Sequence, residues 1–237
     1  MQGKYFVRVI NSFKNYYVTN ATFLILANTD ICSMEPTTST HWENIYTTKQ
    51  AHEVSWTQAI PALSLAIIKA ANLDKNAKII DIGGGDSHLV DHLLAEGYTN
   101  ISVLDISAKA LERAQARLGD AAKKVTWIVS DILTFEPSTT YDFWHDRAAF
   151  HFQTTAHQIE QYLKVVKKAV KGKLVIASFS VDGPQKCSGL SIQQYDEASM
   201  QAVFERIHCK ALSFQRVDHI TPSGAIQNFL YGSFELA

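Results

Sequence analysis

Cysteine is scarce in this chain of 237 residues: three, at Cys32, Cys187 and Cys209, with no CxxC pair. An odd number without paired spacing argues against a disulfide framework and a zinc knuckle, and fits a reducing, cytoplasmic compartment. An excess of one charge is missing as well. Lys plus Arg total 22 against 23 Asp plus Glu, which leaves no electrostatic footprint for a dedicated nucleic-acid binder. The densest basic run, Lys164 to Lys173, falls at the end of a predicted helix, where cations suit the dipole. It reads as a solvated helix face, with an anion patch as the lesser alternative. No apolar run is long enough to span a bilayer. Tyr16 to Ala27 stops short and is interrupted by Asn20, so a membrane partner is not expected. Basic residues precede that run in the manner of a signal segment, whereas Met34 opens a polar leader. Residues 1–40 are therefore expected to be an N-terminal extension, peripheral or disordered, before a domain over 41–237.

What the chain does have is apolar residues, 46% of the total, enough for a sizeable core. Short apolar runs alternate with amphipathic stretches. Strands are predicted at 78–82, 101–104, 125–129, 141–144 and 174–179. Helices are predicted at 61–71, 87–96, 107–118 and 156–170. This alternation implies a Rossmann-like, doubly wound α/β sheet. A helix over 196–206 and strands at 211–217 and 227–234 follow. The link between those last strands is too short for a helical crossover, so they pair antiparallel and add one antiparallel strand to a mostly parallel sheet.

The segment Ile79-Ile80-Asp81-Ile82-Gly83-Gly84-Gly85-Asp86-Ser87 carries the strongest chemical signal. Glycines after a strand permit a sharp turn and a close ligand approach, and the next helix start presents free N–H groups. The dinucleotide fingerprint fails, because His88 stands where its third glycine belongs, and no Walker lysine follows. Asp81 is awkward for a pyrophosphate but suits an ammonium group. An amino-acid-tailed ligand without phosphate fits those charges; a turn with no ligand is the plain alternative. Asp105 ends the second strand, where a carboxylate can accept both ribose hydroxyls or merely cap a helix. Asp131 and Ile132 follow the third strand, where they can meet an adenine amino group and ring or simply form a turn. Three acidic residues at successive strand ends match the place where open α/β sheets bind ligands.

Asp81-x-Gly83-Gly84-Gly85, Asp105 and Asp131-Ile132 resemble the cofactor motifs of class I S-adenosylmethionine-dependent methyltransferases. The leader His41-Trp42-Glu43-Asn44-Ile45-Tyr46, Val54-Ser55-Trp56, the block His145 to Phe152, Gly183 to Leu190, His219-x-Thr221-Pro222 and Gln227 extend that resemblance, to a bacterial subfamily, over about residues 41–236. Gln194 departs from it, standing where Arg is expected. The resemblance implies S-adenosyl-L-methionine as cofactor. Asp81, Gly83, Gly84 and Gly85 would border its methionine moiety. Asp105, with Ile106 beside it, would hold the ribose, and Asp131 and Ile132 would face adenine. His145 or Asp146, just past the fourth strand, would lie near the sulfonium. Trp42, Tyr46 and Trp56 would form a lid whose rings attract a sulfonium cation, unless they are ordinary packing.

Methyl transfer needs alignment and exclusion of water, and a base when the nucleophile is an oxygen or a protonated nitrogen. His145, Asp146, His151 and His219 are the candidate bases, each with a structural alternative. Arg147, Cys187 and Tyr195 are the candidate acceptor contacts. Arg147 would orient a carboxylate or phosphate or pair with Asp146. His88 and His92 are four apart on a helix but lack a third ligand, so no metal is expected. No Asn-Pro-Pro-aromatic motif follows the fourth strand, which disfavours nucleic-acid amino-methylation. The expected activity is methylation of a small-molecule acceptor by a monomer or homodimer. A protein lysine methyltransferase, a nicotinamide-dependent oxidoreductase and a non-catalytic cofactor-binding module are the competing readings.

Overall fold

The computed structural model describes residues 38–236; the expectations for the N-terminal extension, its apolar run and Cys32 fall outside them. The described residues open with helix α1 (Thr38–Thr48) and continue through α2 (Ala62–Ala70), β1 (Ile79–Ile82), α3 (Leu89–Ala95), β2 (Ile101–Asp105), α4 (Ala108–Leu118) and β3 (Val125–Val129). It then runs through β4 (Tyr141–Arg147), α5 (Ala156–Ala169), β5 (Val170–Phe179), β6 (Lys186–Cys187), β7 (Leu190–Ser191), α6 (Glu197–Glu205), β8 (Cys209–Ile220) and β9 (Ile226–Leu236). Among the described residues no helix is long and apolar enough to cross a membrane.

Seven strands form one sheet in the order β3-β2-β1-β4-β5-β9-β8. β1 to β5 are parallel, and β9 runs antiparallel to both β5 and β8. The expected single reversed strand is therefore β9. The strand order reverses between β1 and β4, so their carboxyl ends flank the crevice where such sheets bind ligands.

β1 is buried along its whole length, and its side chains alternate between two apolar layers. Ile80, Ile82, Trp144 and Ile176 pack with Tyr162, Leu163 and Val166 of α5 and Met200 and Phe204 of α6. Ile79, Val103, Phe143 and Val175 pack with Ile68 of α2, Leu89, Val90 and Leu93 of α3, and Leu111 of α4.

Element boundaries differ from the sequence reading in one place that matters. The fourth strand does not stop at Trp144 but continues through Arg147. His145, Asp146 and Arg147 look polar enough to end a strand. Pairing with β1 and β5 on either side carries the ladder through them. β6 and β7 were not anticipated. They make a two-residue hairpin whose turn, Ser188 and Gly189, has φ of 50° and 82°, the left-handed pair that tight hairpins require.

Candidate active site

A cavity of about 350 Å³ opens at the carboxyl ends of β1 to β4. Its sheet-side wall comes from Asp81 to Gly84, Leu104 to Ile106, Ser130 to Ile132 and His145, with Arg147 to Ala149 beyond. Trp42 and Tyr46 of α1 and Trp56, Thr57 and Gln58 of the following loop supply the rest, with Ser64, Phe152 and Cys187.

The glycine bend is shaped by what surrounds it. A Cβ on Gly84 would fall 2.7 Å from the Asp81 carboxylate, and one on Gly85 would fall 2.6 Å from the Tyr46 hydroxyl. Gly85 also has φ of +48°, a conformation costly for other residues. Main chain thus closes onto Asp81 on one side and Tyr46 on the other. Gly83 and Gly84 line the cavity, whereas Gly85 backs it.

Asp81 and His145 are register partners on adjacent parallel strands, so their side chains leave the same face side by side. His145 Nδ1 lies 2.6 Å from Asp81 Oδ1, and His145 Nε2 lies 2.8 Å from Ser64 Oγ. An ionised carboxylate only accepts, which assigns the Nδ1 proton to the Asp81 bond and leaves Nε2 to accept from Ser64 in the neutral ring. All three residues are buried.

Asp105 is 5% exposed and accepts from the Ser107 N–H at 2.8 Å. Burial, partly offset by the N–H groups of Ser107 and Gly85, pushes its carboxyl up to about 7. Asp131 caps the turn after β3 by accepting from Leu133 N–H at 2.9 Å, with Ile132 buried beside it.

The aromatic wall is fastened from several sides. Glu43 of α1 accepts from Ala108 N–H at 2.7 Å, Lys109 N–H at 3.1 Å and Ser107 Oγ at 3.0 Å. That places a carboxylate at the N-terminus of α4, where the helix dipole favours negative charge. Arg147 Nη1 donates to the Trp56 carbonyl at 3.0 Å, and His219 Nε2 donates to the Ser55 carbonyl at 2.6 Å. Trp42 contacts Trp56 at 5.7 Å and Phe152 at 5.3 Å between ring centroids, both edge-on.

These observations meet in one comparison: residues 79–173, from β1 into β5, match a family model described as a methyltransferase domain. Residues 79–173 thus carry a methyltransferase domain. Its fold is that of S-adenosylmethionine-dependent methyltransferases. One such enzyme from Anabaena variabilis has a TM-score of 0.66 at 13% identity, with 84% of this chain and 95% of that one covered. The 1,6-didemethyltoxoflavin-N1-methyltransferase of Burkholderia thailandensis has a TM-score of 0.59 at 16% identity, covering 82% and 81%. The N-methyltransferase NodS of Bradyrhizobium japonicum has a TM-score of 0.56 at 17% identity, covering 73% and 94%. No curated protein matches the sequence.

Within the methyltransferase domain, the cavity gathers Trp42, Tyr46, Trp56, Asp81, Asp105, Ile106, Asp131, Ile132, His145, Arg147 and Cys187 from the residues singled out in the sequence. Besides Gly85, which backs it, four others do not line it. Asp146 alternates to the opposite face of β4, where Oδ1 accepts from Ala149 and Phe150 N–H and Oδ2 from Tyr162. Burial raises its carboxyl to about 6. His151 is fully buried between Phe152 and Phe179. Desolvation and Arg147 push it down to about 3, too weak a base near neutrality. His219 is occupied in holding Ser55 and Gln58. Tyr195 stacks on Phe150 in the layer beneath α6. The expected pairing of Arg147 with Asp146 is also absent, because adjacent strand residues point to opposite faces.

Ser64 and Glu43 were missed by the sequence reading. Ser64 is the one polar residue in the first two turns of α2, an available signal. Glu43 stood inside the quoted leader, but its target is 64 residues away.

Proposed function

We propose that this domain transfers the methyl group of S-adenosyl-L-methionine to a small-molecule acceptor. The carrying observation is that Asp81, Asp105 and Asp131, from three strand ends, border one cavity with the glycine bend and an aromatic wall. Those residues fit the cofactor. Asp81 would face the ammonium group, Asp105 the ribose hydroxyls, and Asp131 with Ile132 the adenine. Trp42, Tyr46 and Trp56 line the same cavity, and aromatic ring faces attract a sulfonium cation. When bound, the cofactor supplies an activated methyl carbon, so the protein's tasks are alignment and exclusion of water.

His145 is the base candidate that lines the cavity. With Nδ1 committed to Asp81, its Nε2 can take a proton relayed by Ser64 from an acceptor hydroxyl or amine. A small acceptor is supported by the aromatic wall fastened through Glu43, Arg147 and His219, which suits an enclosed substrate. The toxoflavin-precursor methyltransferase among the structural relatives supports the same reading.

Calorimetry with S-adenosylhomocysteine and with NAD tests the cofactor: the first is expected to bind and the second to be inert. Turnover against thiols, carboxylic acids, amines and peptides tests the acceptor. Methylation of peptides alone would overturn the small-molecule assignment.

A further inference from the structure

Three arginines line the cavity: Arg113, Arg117 and Arg147. Two have carboxylate partners. Arg113 lies 3.7 Å from Asp86, and Arg117 lies 2.8 Å from Asp91. Arg147 has none among the described residues. Its Nε donates to the Tyr231 hydroxyl at 3.1 Å, its Nη1 to the Trp56 carbonyl at 3.0 Å, and its guanidinium sits 4.8 Å from the Phe229 ring centroid. Its Nη2 is buried with no hydrogen-bond partner among the described residues.

Arg147 is partly buried; a cation drawn from water without a counter-ion is costly, and a buried donor left unmade costs the desolvation of that group. The surrounding groups do not relieve it. Cys187 is held as a neutral thiol, its proton affinity pushed up to about 11 by burial. His151 and His219 are both shifted toward their neutral forms, with Arg147 contributing to each shift. The neutral company makes Arg147 an uncompensated charge rather than one end of a structural pair.

Resting on the methyltransferase reading, we infer that the acceptor is a monocarboxylate with a planar apolar body, anchored on Arg147 against Trp42, Trp56 and Phe152. One open nitrogen and a single positive charge match a carboxylate better than a phosphate dianion, whose second charge would stay unmatched. β4 places Arg147 two residues beyond His145 on the same face, about 7 Å further along the strand. The carboxylate therefore anchors one end of the acceptor while the other reaches the Ser64–His145 pair. Nη2 is closed to solvent, so a carboxylate reaching it must displace the groups that cover it, and it adds an opposite charge that the Trp56 carbonyl on Nη1 does not supply.

The test compares benzoate, phenylacetate and indole-3-acetate with their primary amides, by calorimetry on the full chain saturated with S-adenosylhomocysteine. At least one acid is expected to bind about tenfold or more tightly than its amide, the margin of a charged over a neutral hydrogen bond. In Arg147→Gln that margin is expected to collapse, with circular dichroism and a cooperative thermal melt serving as the check of folding. If the variant does not fold, the acid–amide comparison on the natural chain stands alone. No acid exceeding its amide, including no measurable binding of any pair, overturns the inference; so does a preference that survives in a folded Arg147→Gln protein. Failure to bind S-adenosylhomocysteine is a separate result: it removes the methyltransferase reading, and the acid–amide comparison can then be repeated without it.

Discussion

Asp105 links pH to cofactor affinity. In the ligand-free protein its carboxyl is raised from 3.8 to about 7, burial being the main cause. Ribose hydroxyls donate to the ionised form and favour it, so binding must first remove the proton wherever Asp105 is protonated. With a value near 7, about a tenth of the molecules are ionised at pH 6 and about nine-tenths at pH 8. S-adenosylhomocysteine affinity is therefore expected to rise about tenfold across that interval, ~1.4 kcal/mol. Calorimetry at several pH values reads this directly. Asp105→Asn keeps an acceptor for the Ser107 N–H but does not titrate. It is expected to bind about 1–3 kcal/mol more weakly with a flat profile. A sloped profile in Asp105→Asn, or a flat one in the natural chain, would refute the reasoning. Stability responds in the opposite sense. A folded-state value above the unfolded one makes the stabilising contribution complete below about pH 4 and lost as pH rises through 7.

Ligand-free protein is thus expected to melt at a lower temperature at pH 8 than at pH 5, an effect of about 2.6 kcal/mol for Asp105 between those pH values; calorimetric scans showing the reverse order would count against its burial. Glu43→Gln should weaken the cap on α4 by about 0.5–2 kcal/mol and loosen Trp42 and Tyr46, lowering S-adenosylhomocysteine affinity; an unchanged dissociation constant would detach α1 from the site. Gly85→Ala should cost about 1–2 kcal/mol through its positive φ alone, with the Tyr46 hydroxyl 2.6 Å from the new Cβ adding to the loss. Adding Tyr46→Phe should restore part of that stability in thermal melts, and no rescue would show that the hydroxyl is not the obstacle. Asp146→Ala leaves the Ala149 and Phe150 N–H groups and the Tyr162 hydroxyl without their acceptor, a loss of about 2–5 kcal/mol visible in denaturant melts. A rate defect without a stability defect would return Asp146 to the catalytic list.

The architecture was readable locally because its signals are local. Ile79 to Ile82 is a buried apolar run ending in glycines, and α5 announces itself by an apolar stripe; the cap at Thr155, whose hydroxyl accepts from Gln158 N–H at 3.2 Å, was not read. Strand ends were less readable. His145, Asp146 and Arg147 are polar for three different reasons, and each has a side-chain partner beyond its own strand: Asp81 64 residues away, Tyr162 16 away, and Tyr231 84 away. His219 illustrates the same limit. Its residue type suggests a base, but the carbonyl it meets lies 164 residues earlier.

From the sequence alone came the α/β class, the glycine bend and the three acidic strand ends, because strand period, turn chemistry and the strand-end rule act over a few residues. Tertiary structure decided which polar residues share the cavity. Face alternation along β4 sends Asp146 into the α5 layer and brings His145 and Arg147 to the ligand side. Parallel register sets His145 against Asp81, and long-range hydrogen bonds consume His219 while leaving one nitrogen of Arg147 unclaimed. Those outcomes depend on packing between elements that only the folded chain brings together.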